Sequence, residues 1–297
     1  MLPRDGRLSR PGGSAGHAHP QPRVREFRPP LALAAAREGG RAQPPGSRLR
    51  VLRVPLGRLH RGLRRAQRVG AVPRGRLLKP AVGVMAKVPG LEPVKSRLHQ
   101  ALTQEMATVL YRCFLLDRLE ALATLPGIDA LAAFTPPTGR ARMVALAPEG
   151  FRLVAQQGRD LGERLSNLLA GLLASGHPGA MAIDSDSPTL PMAHVREAAE
   201  VLARGAADLV LGPSDDGGYY LVGLRRGAPG LFEGIPWSTD RVLPLTIEKA
   251  GRLGLRTHLL PEWFDVDTEA DLRRLHAALL AGEGPRRTRR CLEAIYG

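Results

Sequence analysis

Cysteine is nearly absent from this chain of 297 residues: only Cys113 and Cys291 occur. Two thiols cannot build a disulfide framework, and their spacing matches no zinc site. Cys113 lies in an apolar helical pattern and reads as a buried structural thiol. Long apolar runs are absent as well. A membrane span needs about 20 residues, whereas Leu31 to Ala36 is short, begins far from the N-terminus and ends at once in Arg37 and Glu38. Neither a span nor a signal peptide is expected, and a cytoplasmic protein is. Lysine is scarce, with four Lys beside 39 Arg. Acidic residues are scarce at one end only. The first 80 residues hold 18 Arg and one Lys against Asp5, Glu26 and Glu38; the remaining 217 are near neutral, at net −1. This excludes a basic globular domain and makes nucleic acid an unexpected partner for the body. It leaves a basic arm attached to a neutral domain.

The arm has little from which to build a core. It contains 11 Gly, 11 Pro and one aromatic, Phe27, and a chain so poor in large apolar groups cannot offset its ordering entropy. Disorder is expected. The arm could be a solvated tail or a binder of anionic polymers. It could also come from a start site placed too far upstream in GC-rich coding sequence, which the Arg, Pro, Gly and Ala bias slightly favours; the start would then fall between Lys79 and Met85. The expected organisation is a basic segment over 1–79, one domain over 80–282 and a basic tail over 283–297, which allows a last helix from Arg286.

From Ala81 the pattern changes. Ala81 to Ala86 is a buried strand closed by Pro89-Gly90. Thr103 to Leu125 has a helical apolar stripe, with Thr103 as N-cap and Pro126-Gly127 as stop. Strands are expected at Ala130–Phe134, Phe151–Ala155, Ala180–Ile183, Asp208–Leu211, Tyr219–Leu224 and Leu255–Leu260. Helices are expected at Asp160–Ser175, Pro191–Arg204, Thr239–Leu253 and Thr268–Leu280. Strands alternating with helices imply βαβ units, hence an α/β fold with a largely parallel sheet.

Ligands of open α/β sheets bind at the carboxyl ends of the strands, so the loops that follow strands carry the search. The first runs from Lys87 through Pro89 to Lys95 and Arg97. Its cations and turn residues suit phosphates. Two of the body's three lysines fall here, as a need for a compact point charge would explain; a solvated surface loop is the plainer alternative. The second loop carries Asp184 and Asp186, two apart at a strand end. Paired carboxylates there suit a hard divalent cation, Mg²⁺ or Mn²⁺, that also holds phosphate oxygens, against turn or capping use. The third, Asp215-Asp216-Gly217-Gly218-Tyr219, could face a ligand or form a hairpin turn. The fourth, Asp265-Val-Asp267-Thr268, places Asp267 where it could cap a helix. The fifth, from Gln156 to Arg164, is a strand-to-helix turn. The histidines fall in no ligand or triad spacing.

Together these loops resemble the DUF2064 family of the GT-A, or nucleotide-diphospho-sugar transferase, superfamily. The resemblance covers roughly Pro80 to Leu280 and rests on Lys87 with Pro89, Val94-Lys-Ser-Arg-Leu98, Asp160-Leu-Gly-Glu-Arg-Leu165, Asp186-Ser-Pro188, Asp215-Asp-Gly-Gly-Tyr-Tyr220, Pro236-Trp-Ser-Thr239 and Asp265-Val-Asp-Thr268. It implies a three-layer α/β/α sandwich. It also implies nucleotide binding by Lys87, Pro89, Lys95, Arg97, Gln157, Gly162 and Arg164. Asp215, Gly217, Gly218, Tyr219 and Trp237 would face the substrate, and Asp186 and Asp216 would be catalytic. Asp186 and Asp267, with Asp184 beside them, would hold the metal. One departure stands out: Glu92 occupies the family's glycine position, Gly90 comes two residues early, and a carboxylate near phosphates is repulsive unless it points away. The expected activity is metal-assisted glycosyl transfer from a nucleoside diphosphate sugar to an unidentified acceptor. The alternative is nucleotidyl transfer from an NTP with release of pyrophosphate, as in relatives that act as guanylyltransferases. A homodimer is allowed for. If Asp186 and Asp267 share an ion they should repel without it, so removing one is expected to leave the metal-free protein as stable or more so.

Overall fold

The computed structural model describes residues 78–282 and 284–296. The basic segment expected over 1–79 lies outside the described residues except for its last two, and so do the readings of its order and partners. Seven strands form one sheet: β1 (Ala81–Lys87), β2 (Asp129–Thr135), β3 (Arg152–Ala155), β4 (Ala180–Ile183), β5 (Leu209–Pro213), β6 (Tyr219–Leu224) and β7 (Thr257–Leu259). Their order is β3-β2-β1-β4-β6-β5-β7. All neighbours are parallel except β6, which runs antiparallel to both β4 and β5. Residues of β1 and β4 are buried almost without interruption, as expected of central strands covered on both faces.

The helices are α1 (Gln104–Ala123), α2 (Arg140–Leu146), α3 (Leu161–Ala174), α4 (Met192–Arg204), α5 (Val242–Arg252), α6 (Glu269–Ala281) and α7 (Arg286–Tyr296). Local chemistry sets their ends. Thr103 accepts a hydrogen bond from Met106 N–H at 3.2 Å, Asp160 accepts from Glu163 N–H at 2.8 Å, and Gly205 ends α4 with a positive φ of 67°. On one face of the sheet, Leu115, Leu119 and Leu122 of α1 and Val195, Ala198 and Leu202 of α4 pack on Val82, Val84, Phe134 and Ile183. On the other, Leu165, Leu169 and Leu172 of α3 and Ala250 of α5 pack on Leu131, Ala133, Ala182 and Leu211. The result is the expected three-layer sandwich. A third apolar cluster joins Leu110 and Phe114 of α1 to Leu272 and Leu275 of α6 and Leu292 and Ile295 of α7. Helix α1 therefore buries two faces, which explains why its apolar pattern runs so far round its surface. Cys113 and Cys291 are both buried and meet thiol to thiol between α1 and α7.

Four segments differ from the sequence reading. Helix α2 was not anticipated: it buries only Met143, too little to leave a periodic stripe. Helix α5 begins three residues late, because Thr239 closes a preceding turn by donating to Pro236 O at 2.7 Å. Strand β7 is shorter than Leu255–Leu260. The C-terminal segment forms the last helix allowed from Arg286, α7, but packs it on α1 and α6 instead of trailing. Its amino end is capped from another helix: Asp117 of α1 accepts from Thr288 N–H and Thr288 Oγ1, both at 2.8 Å, and from Arg287 N–H at 3.2 Å. Among the described residues no helix is long and apolar enough to cross a membrane.

Candidate functional site

The carboxyl ends of β1, β2, β3 and β4 and the amino end of α3 surround a cavity of about 500 Å³. Its floor is built by polar ties between strands. Lys87 N–H donates to the Tyr111 hydroxyl at 2.9 Å, which lies 3.0 Å from Ser185 Oγ; Ser185 in turn donates to Met85 O at 3.0 Å. Burial, with Asp186 nearby, holds the Tyr111 hydroxyl well above its ordinary pKa. Gln156 Nε2 donates to Ala133 O at 2.8 Å and to Ala86 O at 3.3 Å, clamping the ends of β1 and β2 together. With both amide protons directed at backbone carbonyls, its carbonyl oxygen is the remaining polar end.

At the mouth, the backbone of Lys95 is left-handed (φ 52°, ψ 41°), a conformation uncommon outside glycine. Its side chain is only 2% exposed, and its ammonium lies 2.7 Å from Asp186 Oδ1 and 2.9 Å from Asp267 Oδ1. Arg97 stands 3.7 Å from the other oxygen of Asp267. Burial pulls the Lys95 ammonium down, but Asp186 and Asp267 outweigh it and hold it above its ordinary pKa. The 81 positions between these two aspartates are bridged by the backbone, because Val266 N–H donates to Asp186 O at 3.1 Å. Asp267 is not the cap of α6. Thr268 is, in a capping box with Asp271, which leaves the Asp267 carboxylate to Lys95. Ser238, with φ 64°, also lines the cavity; it and Lys95 are the two non-glycine residues with positive φ among those described.

Asp184 lines the cavity but is held differently. Strand β4 ends at Ile183, so the alternation that would set Asp184 and Asp186 side by side stops there. Asp184 Oδ2 accepts from Ser187 Oγ at 2.6 Å, while Oδ1 is buried without a hydrogen-bond partner. Burial foremost, then Asp186, raises its pKa to about 6 against the pull of buried Arg118. Burial also lifts Asp265 to about 7, reinforced by Asp267, Asp216 and Asp184.

The donor set suits a hard divalent cation. Asp186 Oδ1 and Asp267 Oδ1 converge on one cation position, now taken by the Lys95 ammonium; Asp184, expected as a third ligand, is not on it. Among the described residues no group of three His, Cys, Asp or Glu side chains is placed to hold a metal ion. Two carboxylates are nevertheless what Mg²⁺ commonly takes when substrate phosphates and water complete its octahedron.

Of the other expected residues, Lys87, Arg97, Arg164 and Tyr219 line the cavity. Pro89, Gln157, Gly162, Asp215, Asp216, Gly217, Gly218 and Trp237 do not. The reasons are structural. Asp215 pairs with Arg274 of α6, and Asp216 Oδ1 accepts from Gly218 N–H at 2.8 Å. Gly217 has φ 87°, and a Cβ there would lie 2.4 Å from Asp240 Cα. This segment is the β5–β6 hairpin turn, the plainer of its two readings. Gly162 makes room for Trp237, which meets Tyr219 edge-on at 6.3 Å. Gln157 bonds Asn167 through its carbonyl and leaves the cavity to Gln156. Strand alternation could have separated the two glutamines: Val154 packs toward α3, and Gln156 shares its side of the sheet. Tyr111 and Thr135 carry no local mark in the sequence, and Ser238 lies in the Pro236-Trp-Ser-Thr239 segment without being marked as a cavity residue. Glu92 is absent from the cavity wall, as the departure from the glycine pattern required.

A family model described as an uncharacterized protein conserved in bacteria, DUF2064, matches residues 118–239. A candidate nucleotide-diphospho-sugar transferase from Desulfovibrio desulfuricans G20, known from its crystal structure, is 32% identical with a TM-score of 0.69, over 73% of this chain and 95% of that one. Rv0371c from Mycobacterium tuberculosis H37Rv matches at 20% identity and a TM-score of 0.40, over 67% of this chain and 98% of its own. The inositol-1-phosphate CTP transferase from T. maritima matches at 14% identity and 0.44, over 69% and 96%. None of the curated proteins matches.

Proposed function

This chain belongs to the DUF2064 family of nucleotide-diphospho-sugar transferase-like proteins, and on that premise we propose that it is a nucleotide-dependent transferase, most specifically a metal-assisted glycosyltransferase that uses a nucleoside diphosphate sugar. The observation that carries this reading is the convergence of Asp186 and Asp267 on one cation position at the mouth of a cavity rimmed by Lys87, Lys95, Arg97 and Arg164. Two carboxylates for a cation and four basic groups for phosphate oxygens are complementary to a metal-bound diphosphate.

Asp186 and Asp267 would hold Mg²⁺ or Mn²⁺. When bound, the ion would neutralise charge on the leaving diphosphate. Lys87 and Arg97, both exposed, meet the outer phosphate oxygens. Arg164, on the first turn of α3, adds its charge to the partial positive end of that helix. Gln156 offers a fixed acceptor oxygen to a base or ribose. Tyr219, backed by Trp237, supplies an apolar wall against which a sugar ring can pack. Asp216 takes no part in this scheme, since it is engaged in the hairpin turn.

The reading is tested by incubating the protein with a panel of nucleoside diphosphate sugars and of NTPs with sugar phosphates, with and without Mn²⁺. Metal-dependent thermal stabilisation by a nucleotide sugar, with release of a nucleoside diphosphate, is expected. Pyrophosphate release from an NTP would move the assignment to nucleotidyl transfer. Absence of any nucleotide effect would remove the reading.

A further inference from the structure

We propose that Lys95 is a built-in counter-ion that excludes the metal from the empty site, so that the divalent ion and the diphosphate enter together. The proposal rests on the functional reading above and adds to it an order of assembly. The ammonium of Lys95 lies where a metal would be held, 2.7 Å from Asp186 and 2.9 Å from Asp267. A divalent ion cannot take these two oxygens while the ammonium keeps them. The local charge points the same way. At the contact itself two carboxylates, Asp186 and Asp267, already face two cations, Lys95 and Arg97, so a divalent cation added alone is set against two positive charges, with Lys87 and Arg164 further along the wall. Adding the ion with a diphosphate keeps the balance: the carboxylates turn to the metal, and the phosphates replace them as the partner of Lys95.

The backbone offers an independent sign that Lys95 is held under tension. It is left-handed without being glycine, and its side chain is buried against Phe114, with the ammonium 6.0 Å from the ring centre. Such conformations persist where surrounding contacts over-determine them, and they cluster at ligand clamps and switches. Loss of the two carboxylate contacts would free this residue to relax. Metal and diphosphate would then each raise the other's affinity, since coupling between sites is reciprocal.

The test measures Mn²⁺ binding by the electron paramagnetic resonance signal of free Mn²⁺, on the full chain, for wild type, Lys95→Met and Lys249→Met. Lys249 lies on α5 and donates to Gly230 O; its replacement controls for the change in net charge. Without nucleotide, Lys95→Met should bind Mn²⁺ about 10-fold more tightly than wild type or more, within the usual range of site coupling, and Lys249→Met should match wild type. In wild type, ADP, CDP, GDP or UDP should raise Mn²⁺ affinity by a similar factor or more, beyond the Mn²⁺ the nucleotide binds in a protein-free control; in Lys95→Met that enhancement should shrink to what direct metal–phosphate contact supplies. Lys95→Gln provides the same comparison if the methionine variant does not fold. Equal Mn²⁺ affinity in wild type and the Lys95 variants overturns the proposal, whatever nucleotides do. Tight Mn²⁺ binding by wild type alone also overturns it. Failure of every diphosphate to bind wild type with Mn²⁺ instead removes the functional reading, while the comparison with Mn²⁺ alone still decides whether Lys95 excludes the ion.

Discussion

A single ammonium changes what the carboxylates of Asp186 and Asp267 do to each other. Considered by themselves, Asp186 and Asp267 would repel, and deleting either would relieve strain. With the buried Lys95 between them, each is a partner whose loss leaves a charge short of its hydrogen bonds. Asp186→Asn is therefore expected to destabilise the metal-free protein by about 1–2 kcal/mol, a charge-assisted hydrogen bond at a site partly open to solvent. Asp267→Asn should cost a similar amount while leaving α6 intact, because Thr268 is the cap. Denaturant unfolding in EDTA measures both. Unchanged or increased stability would restore the picture of two repelling carboxylates.

At the scale of elements, two acidic side chains hold outer pieces to the core. Asp208, beside β5, accepts from Arg256 N–H and Nε, both at 3.2 Å, and so fixes β7 at the sheet's edge. Hydrogen bonds from Arg256, helped by Arg226, hold the Asp208 carboxyl down at about 2. A lowered carboxyl pKa stabilises the fold above its unfolded value near 3.9, and that stabilisation is lost as pH falls towards 2. Wild type should thus exceed Asp208→Asn in stability by about 1 kcal/mol at neutral pH, allowing for solvent screening. The gap should close between pH 4 and 2 in urea titrations; a gap independent of pH would refute this account. Asp117 does the same for α7. Asp117→Ala removes the acceptor for two backbone N–H groups and a hydroxyl, at a cost of about 1–3 kcal/mol. Hydrogen exchange across 286–296 should accelerate while exchange in β1 and β4 changes far less.

At the scale of the whole molecule, the described residues, 78–282 and 284–296, hold one seven-stranded sheet and three apolar clusters. Among the described residues, Leu78 and Lys79 make the first contacts, with Gly176 and His177. A chain shortened to begin at Leu78 is expected to melt at the temperature of the full chain, because the preceding residues are too poor in large apolar groups to dock. A drop of several degrees in calorimetry would mean that preceding residues add to the core. The shortened chain should also keep its metal-dependent nucleotide response, since every residue of the cavity lies beyond it.

The sequence by itself determined the succession of the strands and of every helix but α2, and the loops that follow the strands, because periodicity, caps and turns are local properties that survive without knowledge of neighbours; the sandwich followed from the family resemblance. It also singled out Asp186, Lys87, Lys95 and Arg97, since charged groups in the loops after buried strands have few structural uses, whereas Asp267 entered the site through the family resemblance. The partners of these groups were not legible. Thr268 rather than Asp267 caps α6, Gln156 rather than Gln157 enters the cavity, and Asp215 and Asp216 serve a turn. Lys95 meets two aspartates rather than open solvent. Each of these outcomes depends on how far one loop sits from another across the sheet edge, a distance set by backbone contacts such as Val266 to Asp186. Charge pairing changes steeply over an ångström or two, so the tertiary structure alone decided which charge neutralises which.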